Sequence, residues 1–459
     1  MKQLCLAQLF HFLRTHTTSI GLMPTASPVT PWLAHERHFD FRRTRVRFHT
    51  AFDLFSSAAL DVGTSRLIRT LNKSSLLSQE LGRPLRALDL GCGTGVLGLA
   101  LAKSMPCGTI EVSLSDRDRL ATAVARHNLM ASDLDPDGPQ AKVLDAGFGY
   151  GPVHAAGDEP YDLIVSNVPA KVGVEGLAEI LFGAGARLRP GGVVAFVHVS
   201  PLTDTIDALN ADFSEAHGPI ETVDESVGKE HRSLHWRFPN GLPILAPGDP
   251  LHSWLRESQV GSVAVKGGNP LTVTAVHDVD EFDSLHYRTP LLVQSAGQRL
   301  PTLPGEERIC VLNPNHGFLP AMLGDQREPA VVHVTGRDTL SIAIAQQNVR
   351  ETFSAWGMKG IEVGKCQPHR TLPWLPATGG DAEGYHRIIG HLRWKEGRAA
   401  HETTLKTLAA ALLPGGAMMI SVGVGQAEGL KKLARRIGLV TSRTDTRRRG
   451  HAALVISPP

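Results

Sequence analysis

At 459 residues the chain exceeds one ordinary domain, and 42% hydrophobic with 20% charged residues describes a globular protein rather than a disordered or fibrous one. No apolar run approaches the roughly 20 residues that span a bilayer, which excludes an integral helical membrane protein. The net charge of +2 names no partner by itself.

The first 35 residues contain no Asp or Glu, and Lys2 and Arg14 flank the apolar stretch Leu4 to Leu13. An organellar presequence or a weak secretion signal has this composition, and so does a leader from a mis-assigned start, with Met23 as another initiator. Residues 1–45 are read as a partly disordered leader of a cytoplasmic protein, organellar import through residues 1–35 being the alternative. Arg42, Arg43, Arg45 and Arg47 crowd the end of that leader. Lys431, Lys432, Arg435, Arg436, Arg443 and Arg447 to Arg449 crowd the other end of the chain. Such clusters suit a polyanion such as a nucleic acid, an ordinary solvated basic face being the alternative. The cysteines at 5, 92, 107, 310 and 366 are odd in number, with no C-x-x-C or zinc spacing, which points to a reducing compartment and no metal site.

From residue 46 onward, short β-branched runs alternate with helical patterns. Strands are expected near 85–90, 109–115, 141–145, 161–166, 191–199, 219–225 and 231–238, and helices at 96–105, 118–130 and 174–188. That alternation argues for a parallel sheet covered by helices on both faces. The pattern then repeats. SDRDRLATAVARHNL (115–129) answers TGRDTLSIAIAQQNV (335–349), YDLIVSNVPAKVG (161–173) answers YHRIIGHLRWKEG (385–397), and LRPGGVVAFVHV (188–199) answers LLPGGAMMISVG (412–423). The three matches keep their order at offsets of 220 to 224 residues, which marks a duplication. Residues 46–240 form the first copy, 241–300 a connecting segment with the leading strand LTVTAV (271–276), and 301–459 the second copy.

The chemistry sits in the first copy. Asp89-Leu-Gly91-Cys-Gly93-Thr-Gly95 follows a strand and runs straight into a helix, so glycines turn the backbone tightly beside a helix N-terminus. Gly93, Gly95 and Gly98 also fit G-x-G-x-x-G, a weak sign of a dinucleotide site. Asp89 discriminates: it suits a ligand carrying an ammonium group and would repel a pyrophosphate. Asp116 closes the next strand, where an acid can hold ribose hydroxyls, and Asn167-Val168-Pro169-Ala170 stands at the tip of the fourth strand.

With these motifs the chain resembles the class I S-adenosylmethionine (SAM) dependent methyltransferases over about residues 50–240. FSSAALDVGTSRLIRTL (55–71) before DLGCGTG resembles the methyltransferase small domain type. The resemblance implies two tandem Rossmann-like α/β domains, each a parallel sheet with an antiparallel edge strand, the second degenerate. It implies SAM as cofactor, held by Asp89, Gly91, Gly93 and Gly95 at its methionine end, Asp116 at the ribose, and Asp145 with Ala146 at the adenine. Duplicated members of this group methylate the 2-amino group of guanine in ribosomal RNA. They use Asn-Pro-Pro-Phe/Tyr, whose Asn and following carbonyl orient the amine while the ring stacks on the base. Here Asn167 and Pro169 are the catalytic candidates. Val168 and Ala170 depart from the pattern and remove the stacking ring, unless Phe148 or Phe55 replaces it. The order of copies also departs, the decayed copy coming second.

In that second copy Val311 stands for Asp89, Asn313 and Asn315 for two glycines, Gly336 for Asp116 and His391 for Asn167. A structural role follows, with Arg and Lys presented to RNA. Three functions are carried forward: methylation of an exocyclic amine of a base in ribosomal RNA, methylation of a protein glutamine or a small molecule, and a non-catalytic RNA-binding scaffold that binds SAM. Monomer and homodimer are both compatible with the sequence.

Overall fold

The computed structural model describes residues 27–157, 159–239, 251, 254–263, 271–281, 285–379, 383–442 and 445–459. The proposed presequence, Cys5 and Arg443 lie outside them, as does most of the connecting segment before Leu271. Among the described residues no helix is long and apolar enough to cross a membrane.

The first half runs β1 (Leu33–Phe41), β2 (Thr44–Ala51), α1 (Val62–Lys73), β3 (Leu85–Leu90), α2 (Val96–Ser104), β4 (Ile110–Ser115), α3 (Arg119–Met130), β5 (Ala141–Val143), α4 (Gly151–Ala155), β6 (Tyr161–Asn167), α5 (Gly173–Phe182), β7 (Leu188–Val199), α6 (Thr203–His217), β8 (Glu221–Val227) and β9 (His231–Arg237). Its seven-stranded sheet has the order β5-β4-β3-β6-β7-β9-β8. β3 and β6 occupy the middle and are buried along almost their whole length, on both faces rather than on alternate residues, as parallel strands covered by helices are. β9 is antiparallel to β7 and to β8. The antiparallel strand expected at the edge therefore lies one place inside it, with β8 outermost.

The second half runs β10 (Leu255–Val263), β11 (Leu271–Val276), α7 (Arg288–Arg299), β12 (Arg308–Leu312), α8 (Phe318–Arg327), β13 (Val331–Thr335), α9 (Thr339–Ala355), β14 (Glu362–Lys365), β15 (Tyr385–His391), α10 (Arg398–Ala410), β16 (Leu412–Gly423), α11 (Val424–Arg436), β17 (Val440–Thr441), β18 (Thr446–Arg448) and β19 (His451–Ser457). The order β14-β13-β12-β15-β16-β19-β17 repeats that of the first sheet, with β19 in the place of β9.

Residues 33–41, counted with the leader in the sequence, form a strand. The alternation His-Phe-Asp-Phe (38–41) turns Phe39 and Phe41 toward the first core, and β1 pairs with β2 in a hairpin. Its two-residue turn is Arg42-Arg43, both at positive φ, where Asn or Gly is the less strained choice.

The halves interlock. Leu120 and Val124 of α3 insert into the second half's core, while Leu340 and Ile344 of α9 insert into the first half's core. Asp118 caps α3 and Asp338 caps α9, and the two caps pair in an antiparallel bridge. Asn128 bonds the backbone of His49 in β2 and the Thr94 carbonyl of the glycine loop. Asn348 does the same to Thr274 in β11 and to His316. The Asn at the matching position of each repeated helix is thus a clamp between leading strand and loop.

Candidate active site

The glycine loop sits between β3 and α2. Gly91, Gly93 and Gly95 have φ of +72°, +54° and +80°, which an L side chain rarely adopts. Their roles differ. A Cβ on Gly91 or Gly93 would meet nothing within 4 Å, because both face open space, whereas one on Gly95 would fall 2.9 Å from Ala125 Cβ. Two glycines shape a cavity and the third lets two helices approach.

Asp89 and Asp116 hold this loop. Asp89 is 1% exposed, and its Oδ2 accepts from Gly98 N at 2.7 Å. Burial pushes its carboxyl up to about 7; the Gly98 bond opposes the shift and the nearby Asp116 charge adds to it. Asp116 accepts from Gly93 N and Asp118 N, both at 2.8 Å. Burial raises it to about 6 against those same hydrogen bonds. Two carboxyls poised near neutrality line one wall, a pattern that clusters at functional sites.

Asn167 ends β6 on the opposite wall. Its Nδ2 donates to Thr64 Oγ1 at 3.0 Å and to Asp61 Oδ2 at 3.3 Å. An ionised Asp61 only accepts, so the amide must turn its NH₂ toward α1, and Oδ1 is left as the acceptor. Asp61 is itself fixed as the N-cap of α1, accepting from Gly63 N and Thr64 N. Sequence reasoning missed Asp61 and Thr64, although D-x-G-T before an apolar helix is a readable cap signal. Pro169 and Ala170 are exposed at the rim.

These groups converge on one cavity of about 530 Å³, a size suited to a cofactor-sized ligand. Asp89, Gly91, Gly93, Asp116, Asn167 and Pro169 all line it. Asp145 and Ala146 do not: β5 stops at Val143, Asp145 turns out to solvent, and Gly147 N returns to bond Asp116 O, so Gly147 and Phe148 form that wall instead. Phe148 stacks edge-on against Trp254, with centroids 6.4 Å apart. Phe55 stands at the mouth with 72% of its surface exposed. Residues beyond the first copy also contribute. Trp254 and Asp278 line the cavity, and Arg117 lies over the Trp254 ring and pairs with Asp278 at 2.9 Å.

At the equivalent place in the second half the loop keeps its shape without its glycines. Asn313 and Asn315 have φ of +54° and +50°, and Gly317 +93°, Asn being the residue that tolerates this region best after Gly. The space is taken by protein. Buried Glu281 reaches Asn315 Nδ2 at 3.0 Å, and buried His316 bonds Val276 N and Asp280 O. Val311 is buried where Asp89 stands, and burial holds His391 well below the usual imidazole range.

The basic clusters are only partly available. Lys431 is buried against Asp445 and Glu428, and Arg447 also pairs with Asp445, so neither is a free charge on that face. Arg448 and Arg449 remain exposed beside the tight Arg449-Gly450 turn, and Arg43, Arg45 and Arg47 are exposed on the first hairpin.

Residues 45–223 match the family model of the methyltransferase small domain. A ribosomal RNA small subunit methyltransferase C of Actinobacillus pleuropneumoniae is 32% identical over 160 residues, 34% of this chain and 43% of that protein. The protein of that name in Sodalis glossinidius is 35% identical over 146 residues, 30% of this chain and 38% of its own length. The chain thus spans less than half the length of these curated relatives. Among solved structures, a Thermus thermophilus 16S rRNA N2 G1207 methyltransferase, in complex with AdoMet and guanosine, superposes with a TM-score of 0.53 at 17% identity. It covers 93% of this chain and 98% of its own, a likeness of fold that runs through both halves.

Proposed function

We propose that this chain is a SAM-dependent methyltransferase that acts in the cytoplasm on an exocyclic amine of a base in ribosomal RNA. Residues 46–240 are the catalytic domain and 301–459 its degenerate copy. One observation carries the reading: a single cavity joins an acid-and-glycine wall to an Asn whose acceptor atom is fixed by Asp61 and Thr64. The curated relatives named above support the choice of RNA.

The donor set fits the cofactor. Asp89 with Gly91, Gly93 and Gly95 holds the methionine end, whose ammonium group favours the ionised form of a carboxyl that burial otherwise keeps near neutrality. Asp116 holds the ribose hydroxyls, and Gly147 with Phe148 takes the adenine side that the sequence assigned to Asp145 and Ala146. SAM supplies an electrophilic methyl group on a sulfonium. Asn167 Oδ1 accepts a hydrogen bond from the target amine and so aims its nitrogen lone pair across the cavity; the backbone after Asn167, stiffened by Pro169, keeps that acceptor still. The proton released on methylation leaves to water at the open mouth. Phe55, exposed at that mouth, supplies the ring that Ala170 lacks.

The test is to digest ribosomal RNA from cells with and without the gene and compare methylated nucleosides by mass spectrometry. Loss of one base-methylated nucleoside, restored by purified protein with SAM on the unmodified RNA, is the expected outcome. Unchanged RNA, with methyl transfer to a protein glutamine or a small molecule instead, overturns the substrate.

A further inference from the structure

Among the described residues, the large aromatic side chains left exposed are Phe52, Phe55, Tyr287 and Trp394. Their placement is not random. Phe55 stands at the cavity mouth, and three residues earlier Phe52 lies against Gly397, 3.7 Å from where a Cβ would be. Gly397 closes the short 3-10 turn Trp394–Glu396, which stands after β15 as residues 170–172 stand after β6. Trp394 therefore occupies, in the copy without chemistry, the position where the catalytic copy has Ala170. It is 59% exposed, so packing does not account for it.

The charges around it have one sign toward solvent. Lys395 and Arg398 are exposed, while the intervening acid, Glu396, is buried on Arg337 at 2.9 Å. Asp53 is turned inward as well, onto Arg337 and Arg393. These pairs pin the turn to segment 52–55, and hence to the mouth, and they remove the carboxylates that would repel a phosphate chain.

We infer that Trp394, flanked by Lys395 and Arg398, is a stacking site for an unpaired nucleotide of the RNA strand that enters the cavity past Phe55 and Phe52. A flat, exposed ring beside isolated cations fits single-stranded nucleic acid, which binds through base stacking and phosphate charge. It fits a protein surface less well, since such hot spots are aromatic anchors seated in desolvated pockets. The inference rests on the proposal that RNA is the substrate, and it gives the degenerate copy a task beyond support.

The test measures the affinity of the full-length protein for a fluorescein-labelled single-stranded oligoribonucleotide, with SAM affinity measured on the same preparations. Trp394→Ala should weaken RNA binding by about 5- to 100-fold, the range for loss of one base stack. Trp394→Phe should recover most of the loss, and SAM binding should not change. Lys395→Ala should lower the salt dependence of RNA binding while leaving the stack. Wild-type protein that binds no RNA overturns the RNA reading and the stacking site together. Wild-type that binds RNA with Trp394→Ala unchanged overturns the stacking site alone, and so does a Trp394→Ala effect seen only on self-association in sedimentation.

Discussion

Arg337 of the second half grips Asp118 of the first with both arms of its guanidinium, Nε to Oδ1 at 3.0 Å and Nη2 to Oδ2 at 2.5 Å, across 219 residues of chain. The duplication returns the contact, with Arg117 reaching Asp338 at 3.4 Å. Arg337 is 1% exposed and also meets Asp53 and Glu396, so one buried cation serves three carboxylates. Those charges raise its pKa against the desolvation that opposes it.

Removing Arg337 leaves those carboxylates without a counter-charge in a low-dielectric site. Arg337→Leu should lower unfolding free energy by about 3–5 kcal/mol, and Arg337→Lys should recover little, because an ammonium cannot reproduce the fork. Chemical denaturation reads the loss directly. Near wild-type stability would mean that the halves are held by apolar insertion alone.

SAM should bind one site per chain. Gly93 faces open cavity at φ +54°, so Gly93→Arg both strains the loop and fills the space the ligand takes. Calorimetry on the wild type should give a stoichiometry near one, and the variant should show no binding while remaining folded. A second site, or one surviving the substitution, would contradict a degenerate second half.

Asn167 and Asp61 should act as a pair. Asn167→Ala should lower kcat on the order of a hundredfold with SAM affinity nearly intact, since the lost acceptor matters most when the amine is aligned. Asp61→Asn keeps a good helix cap but offers Asn167 both a donor and an acceptor, so the amide loses its fixed orientation. Its kcat should fall at least tenfold with little change in melting temperature. A stable Asp61→Asn protein with full activity would mean that Asn167 is oriented by other means.

The raised carboxyls set a pH dependence. Asp89 at about 7 and Asp116 at about 6 both lie above their ordinary value near 4, so folding favours their protonated forms. Their contribution to ligand-free stability is full below pH 4 and is lost as pH rises through 6 to 7. Binding of a cationic ligand beside Asp89 should run the other way. The rise in melting temperature at saturating SAM should therefore grow between pH 5.5 and 8, and Asp89→Asn should flatten the trend. A pH-independent shift in the wild type would remove Asp89 from the ligand's charge.

Changing Arg43, Arg45 and Arg47 together to Ala should weaken RNA binding and reduce the slope of log affinity against log salt, leaving SAM affinity unchanged. Arg447→Ala alone should do little, because Arg447 is already paired with Asp445. Identical salt slopes for the triple variant and the wild type would make the hairpin an ordinary solvated face.

The sequence by itself determined what is encoded at short range. Apolar periods placed the strands of the first copy and the leading strand of the second within a few residues, and the glycine spacing placed the loop that Gly91, Gly93 and Gly95 form. Constant offsets revealed the duplication, because two copies of one local pattern need no partner to be recognised. Tertiary structure decided everything that depends on who meets whom. Asp61 faces Asn167 across 106 residues, Glu281 fills the space below Asn315, and Lys431 is turned inward although it reads as part of a basic surface. Asp145 stays outside the cavity for the same reason: two residues past the end of β5, a side chain's direction is set by where the backbone must next bond, here Gly147 to Asp116. A pattern of period two or 3.6 fixes which face a residue shares with its neighbours. Only the closed fold, with its long-range contacts, fixes what that face touches.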